Sequence, residues 1–166
     1  MTFFDSGRPY VIKAVGKLGD PYIQVAPRHD VRLGKEGTLF YIKAVDDAYT
    51  ITASSLGSPG LQVLAPLVPV YVGKEEEKCG IVRADSGSEA TWYITERAEG
   101  YTITAKAPLP PSLVPGAAAY LVWDEQCSVG WKSSGGFIEE VPERALWLVE
   151  VPPYVEEVPP SVEACP

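Results

Sequence analysis

Apolar and polar residues alternate along this chain in short runs that Gly and Pro break apart. Tyr10–Val15 alternates and is rich in β-branched and aromatic residues, the pattern of a half-buried strand. Gly16–Pro21 is a turn, Tyr22–Ala26 a second strand, Pro27–Asp30 a loop and Val31–Leu33 a short third strand. Gly34–Gly37 turns the chain into a fourth strand, Thr38–Val45. The succession then starts again. Ala48–Ala53, Leu61–Ala65, Pro69–Gly73 and Thr91–Glu96 are strands, with a turn at Leu56–Gly60, a charged hairpin or loop at Lys74–Lys78 and a Gly/Ser stretch at Asp85–Ser88. A third round opens at Gly100–Lys106. Its second strand is interrupted by Pro108, Pro110 and Pro111, and its third is read at Tyr120–Val122, echoing Tyr71-Val72. A long link, Ser128–Arg144, leads to a last strand at Ala145–Val151.

The aromatic positions repeat with these rounds. Leu39-Phe40-Tyr41-Ile42 returns as Thr91-Trp92-Tyr93-Ile94 and again as Leu146-Trp147-Leu148-Val149. A second series reads Tyr10-Val11-Ile12, Tyr49-Thr50-Ile51 and Tyr101-Thr102-Ile103. Self-similarity at a period of about fifty residues decides the fold before any single residue does. Four strands in each of three units predict an all-β protein of twelve strands. Its expected form is a β-trefoil: a six-stranded barrel, closed so that no sheet edge is exposed, with three capping hairpins. The units are expected at about 9–45, 48–96 and 100–151, in one domain over 1–151. Residues 152–166 form a Pro/Glu-rich tail, expected to be extended and loosely packed.

Composition supports this picture. Of 166 residues, 15 are Gly and 16 Pro, scattered through the chain, which favours many turns over long helices. The net charge of −8 argues against nucleic acid and against an anionic membrane, since both are bound through clustered Lys and Arg, and no basic stripe is present. Cys79, Cys127 and Cys165 are odd in number and widely spaced, which is neither a disulfide framework nor a zinc motif. The first residues lack the basic and apolar regions of a signal peptide, no apolar run reaches membrane-spanning length, and Asn is absent, so N-glycosylation is excluded. The expectation is a cytoplasmic monomer with reduced thiols, no metal and no cofactor.

Little in the chain suits catalysis. His29 is the only histidine, and its sequence neighbours Arg28 and Asp30 cannot form a triad with it from one short loop. Acidic pairs and runs such as Asp46-Asp47 and Glu75-Glu76-Glu77 suit solvated surface. No phosphate-binding glycine motif occurs. An enzyme is therefore not expected. What stands out is a departure from the repeat. The loop after the second strand reads Pro27-Arg28-His29-Asp30-Val31-Arg32, while its counterparts, Pro66-Leu67-Val68-Pro69 and Pro111-Ser112-Leu113-Val114-Pro115, carry no charge. The barrel needs none of the charge at 28–30, and loops on a rigid scaffold are where binding residues gather. A plain solvated loop explains the same residues equally well.

Several short motifs carry a resemblance. The opening Ser6-Gly7-x-Pro9-Tyr10-x-Ile12, the pair Trp92-Tyr93-Ile94 and Gly100-Tyr101-Thr102-Ile103, and the threefold plan resemble the β-trefoil protease inhibitors of mushrooms. That group comprises the cospin- and cnispin-type trypsin inhibitors and the related clitocypins, macrocypins and cocaprins. The resemblance covers about residues 6–151. It implies a protein inhibitor of a trypsin-like serine protease, with Arg28 as the reactive residue entering the specificity pocket. Pro27, His29, Asp30 and Arg32 would complete the reactive loop. A late-loop lysine used by some members points to Lys132 as a secondary candidate. Inhibition of cysteine or aspartic proteases through other loops, Gly16–Pro21 or Leu56–Gly60, is the alternative within the group. A carbohydrate-binding lectin is a further alternative, although Gln24, Gln62 and Gln126 do not form the Gln-x-Trp motif of ricin-type lectins. A scaffold or storage role is also compatible with the residues.

Overall fold

The computed structural model describes residues 4–5, 7–25, 30–56, 62–70, 79–85, 89–107, 118–133 and 144–152. They form an all-β protein with a closed barrel and further strands. The strands are β1 (Val11–Ala14), β2 (Tyr22–Val25), β3 (Val31–Gly34), β4 (Leu39–Val45), β5 (Ala48–Leu56) and β6 (Gln62–Pro69). They continue as β7 (Cys79–Ala84), β8 (Thr91–Arg97), β9 (Gly100–Ala107), β10 (Ala119–Trp123), β11 (Val129–Ser133) and β12 (Leu146–Glu150). No described helix is long and apolar enough to cross a membrane.

The pairings lead round the barrel and return to their start. β1 pairs with β12, β12 with β9, β9 with β8, β8 with β5 and β5 with β4. A bridge between Tyr10 and Phe40 joins β4 back to β1. The register repeats with the units. Tyr10 faces Phe40, Tyr49 faces Trp92 and Tyr101 faces Trp147. Val149 faces Ile12, Ile42 faces Ile51 and Ile94 faces Ile103. The equal spacing of Tyr-x-Ile in the sequence thus puts equivalent residues at equivalent depths. Ile12, Ile51 and Ile103 are fully buried, as are Phe40, Trp92 and Trp147. Strand alternation sends every second residue inward, so Ala14, Ala53 and Ala105 are buried two positions beyond the isoleucines.

The other strands form three hairpins, β2–β3, β6–β7 and β10–β11. Their inner positions also match: Ile23 faces Leu33, Leu67 faces Ala84 and Leu121 faces Trp131, all buried. Two large side chains tie barrel to hairpin. The indole N–H of Trp92 donates to the Leu67 carbonyl at 3.0 Å, and that of Trp147 to the Leu121 carbonyl at 2.9 Å. Phe40 has no such donor. In its unit the Ile23 carbonyl accepts the backbone N–H of Thr38 instead, at 3.0 Å.

Two strands depart from the sequence reading. β11 lies inside the stretch read as a link, Ser128–Arg144, and β7 lies where no strand is read. Tyr120 consequently belongs to the first strand of the third hairpin, and Leu121, not Leu113, is the counterpart of Leu67. Pro69 ends β6 and does not start a strand. The physical reason lies in Gly80 and Gly130, which weaken strand propensity but let β7 and β11 approach closely. Of the short arm read at residues 1–8, residues 1–3 and 6 lie outside the described residues, and Phe4 has a definite place. Phe4 packs on Tyr10, Tyr49 and Tyr101 with ring centroids 5.6, 5.5 and 5.8 Å away. The tail expected at 152–166 lies outside the described residues, except for buried Pro152.

Candidate functional site

β3, β7 and β11 meet one another around the top of the hairpin layer. Asp30 bridges Arg83, Ile81 pairs with Gly130, and Ser128 bridges Arg32. Each contact joins a different pair of the three strands, so the three form a closed triangle. Alternation then fixes what the triangle presents. Val31, Leu33, Val82, Ala84, Val129 and Trp131 point inward and are buried. Asp30, Arg32, Cys79, Ile81, Arg83, Ser128 and Lys132 alternate with them and are exposed.

Two local features hold this face in shape. Gly80 leaves room for the indole of Trp131, whose N–H donates to the Val70 carbonyl at 2.9 Å. The β10–β11 turn is fastened by Asp124, whose carboxylate accepts the N–H groups of Gln126 and Ser128, both at 2.9 Å. Within that turn Cys127 takes φ 65°, an uncommon conformation for a residue with a side chain. The Cys127 carbonyl accepts the Leu33 N–H at 2.8 Å, which ties the turn to β3. Ser128 is thereby set against Arg32.

The residues singled out in the sequence fall as follows. Pro27, Arg28 and His29 lie outside the described residues. Their loop is anchored on both sides, because Val25 pairs with Val31, leaving residues 26 to 30 as the connection. Asp30 and Arg32 are exposed on the triangle. Lys132 lies on strand β11, not in a loop, with its backbone opposite Tyr120 on one side and Cys79 on the other. The fold thus gathers Asp30, Arg32 and Lys132 on one face, which their separation in sequence hides. Arg83 and Ile81 join them there and were not anticipated. Their signal was the alternation Cys79-Gly80-Ile81-Val82-Arg83-Ala84, masked by its glycine. Of the alternative loops, Gly16–Pro21 presents Leu18 at 87% exposure between Gly16 and Gly19, whose φ values are 89° and 92°. In the other, residues 57–60 lie outside the described residues.

The clearest electrostatic pair lies elsewhere: Lys106 Nζ donates to the Asp47 carboxylate and sits 5.8 Å over the Tyr93 ring. Cys79 and Cys127 are free thiols, one exposed and one half-buried. Comparison with protein-family models, with curated proteins and with solved structures finds no match.

Proposed function

We propose that this chain is a β-trefoil protein that inhibits proteases, with Arg28 as the residue that enters the specificity pocket of a trypsin-like enzyme. The trefoil reading is supported by the threefold recurrence of one register, in the barrel as in the hairpins. The inhibitor reading draws on the resemblance of the Tyr-x-Ile and Trp-Tyr-Ile motifs to the mushroom inhibitors. One observation carries it: the connection bearing Arg28 is only residues 26 to 30, held at Val25 and Val31 and again where Asp30 bridges Arg83. Short ends fixed by ladders lower the entropy a loop loses when a protease grips it, and Pro27 restricts it further. A guanidinium inserted into a trypsin-like pocket meets a buried acid. Truncating one member of such a pair costs about 2–5 kcal/mol.

The experiment is an inhibition assay with trypsin on the full chain, Arg28→Ala and Arg28→Lys. Inhibition by the parent, its loss in Arg28→Ala and its retention in Arg28→Lys support the reading. A parent that leaves trypsin unaffected, or an Arg28→Ala variant that inhibits as well as the parent, overturns it.

Leu18 favours a second reading. A large apolar side chain 87% exposed on a turn between two positive-φ glycines suits insertion into an apolar cleft, as in a papain-like cysteine protease. Papain and pepsin belong in the same assay, with Leu18→Ala as the variant. Papain inhibition that depends on Leu18 and ignores Arg28 would move the active loop to Gly16–Pro21.

A further inference from the structure

The triangle of β3, β7 and β11 has a charge opposite to that of the whole molecule. The chain carries −8, yet among the described residues the exposed ionisable side chains of this face are Arg32, Arg83 and Lys132 against Asp30 and, at the end of β7, Asp85, besides the Cys79 thiol. At its middle stands Ile81, 56% exposed. Ile81 is uncovered because its register partner on β11 is Gly130, which has no side chain to lay over it. Arg83 follows two residues on along the same face, and Lys132 stands diagonally across on β11. Diagonal neighbours of this kind lie about 7–8 Å apart, within reach of long side chains.

We propose that this face docks a protein surface in which carboxylates surround an apolar side chain. An exposed isoleucine flanked by Arg83 on its own strand and by Lys132 diagonally across has the composition of an interface centre, where Arg and apolar anchors are enriched. The three cations steer and orient an acidic partner, and Ile81 contributes the buried contact. A nucleic acid fits less well. A long polyanion reaches past the patch within roughly one Debye length, about 8 Å at physiological salt, and there it meets a molecule of net charge −8. The face borders the Arg28 loop through Asp30 and Arg32, but the variants that test the proposal change only Ile81, Arg83 and Lys132, so its failure and that of the inhibitor reading are distinguishable.

The test uses the full chain and a synthetic peptide of repeating Glu-Leu-Glu as probe, with a Lys-Leu-Lys peptide and a single-stranded oligonucleotide as comparisons. Saturable binding of the acidic peptide, weakening as salt rises, is expected. Charge reversal in the double variant Arg83→Glu/Lys132→Glu lowers that affinity by at least about tenfold. The neutral pair Arg83→Gln/Lys132→Gln lowers it less and serves if the reversed variant fails to fold. Ile81→Ser weakens binding while leaving its salt dependence unchanged. Absence of binding by the parent, equal binding by both double variants and the parent, or tighter binding of the oligonucleotide each overturns the proposal.

Discussion

Gly80 lies beneath the indole of Trp131, so close that a β-carbon on it would stand 2.8 Å from Cε2 and 2.9 Å from the Val70 carbonyl oxygen. Neither the fully buried ring nor the backbone can give way cheaply. Gly80→Ala is expected to cost about 1–3 kcal/mol through overpacking. Gly130→Ala should cost a similar amount, since its β-carbon would fall on the Gly80 carbonyl. Urea unfolding measures both. A loss below about 0.5 kcal/mol for either, the scale of an ordinary surface change, would mean that β7 and β11 can separate without penalty.

The indole bonds make a second prediction. In Trp147→Phe the ring stays apolar, but the Leu121 carbonyl loses its 2.9 Å donor. A buried acceptor left unsatisfied costs about 1–3 kcal/mol, and the lost ring volume adds to it. Trp92→Phe should behave alike toward Leu67. In the unit that carries Phe40 the corresponding bond comes from the backbone N–H of Thr38, which Thr38→Val keeps; that variant loses only the half-buried bond in which Thr38 Oγ1 accepts the Val25 N–H at 2.9 Å, and no ring volume, so it should be milder than either. Thermal unfolding of the three variants checks the order.

Phe4 touches the same tyrosine station of all three units. Two of the contacts are edge-on, at 84° and 86°, the favoured geometry for aromatic pairs. The adjacent Asp5 N–H donates to the Tyr10 hydroxyl at 2.9 Å. Phe4→Ala is therefore expected to destabilise the fold by about 2 kcal/mol, below the full cost of a core phenylalanine because Phe4 is only half-buried. Phe4→Leu should recover part of the loss. An unfolding midpoint unchanged in Phe4→Ala would show that the arm contributes nothing to the barrel.

The hydrogen bond from Lys106 holds the Asp47 carboxyl below the usual aspartate range, and the same bond holds Lys106 above the usual lysine range. For a carboxylate whose folded value is depressed, the stabilisation is present above the unfolded value, near 3.9, and fades as pH falls through the folded one. Asp47 is exposed and Lys106 half-exposed, so the contribution to stability is small and salt-sensitive. Carbon-detected NMR titration should place Asp47 below an ordinary aspartate, and Lys106→Met should bring it back up. An unchanged midpoint in Lys106→Met would assign the depression to something other than this bond.

The barrel was legible because its residues obey a repeat. Tyr10, Ile12 and Ala14 recur as Tyr49, Ile51, Ala53 and as Tyr101, Ile103, Ala105, and each set occupies the same inward positions. The hairpins were less legible, for the opposite reason. Their inner triads mix Leu33 with Ala84 and Trp131, so similar places hold dissimilar volumes. A small residue in one hairpin is offset by a large one in another, and no residue-by-residue echo survives. The face formed by Arg32, Arg83 and Lys132 was harder still to see, since only the meeting of three hairpins brings those positions together. Asp30 and Arg32 stand out in the sequence as charges the repeat does not require, but Ile81 and Arg83 lie in a strand hidden by Gly80.

The hydrogen-bonded neighbours β1 and β12 are the first and last strands of the described chain, and Ile12 faces Val149 as Ile42 faces Ile51. The seam between them is thus like any other seam in the barrel. What differs is only that no peptide turn joins it. The order in which the strands are strung is therefore not part of what holds them together. A permuted chain, opened at the Asp46-Asp47 turn and linked from β12 to β1, should close the same barrel.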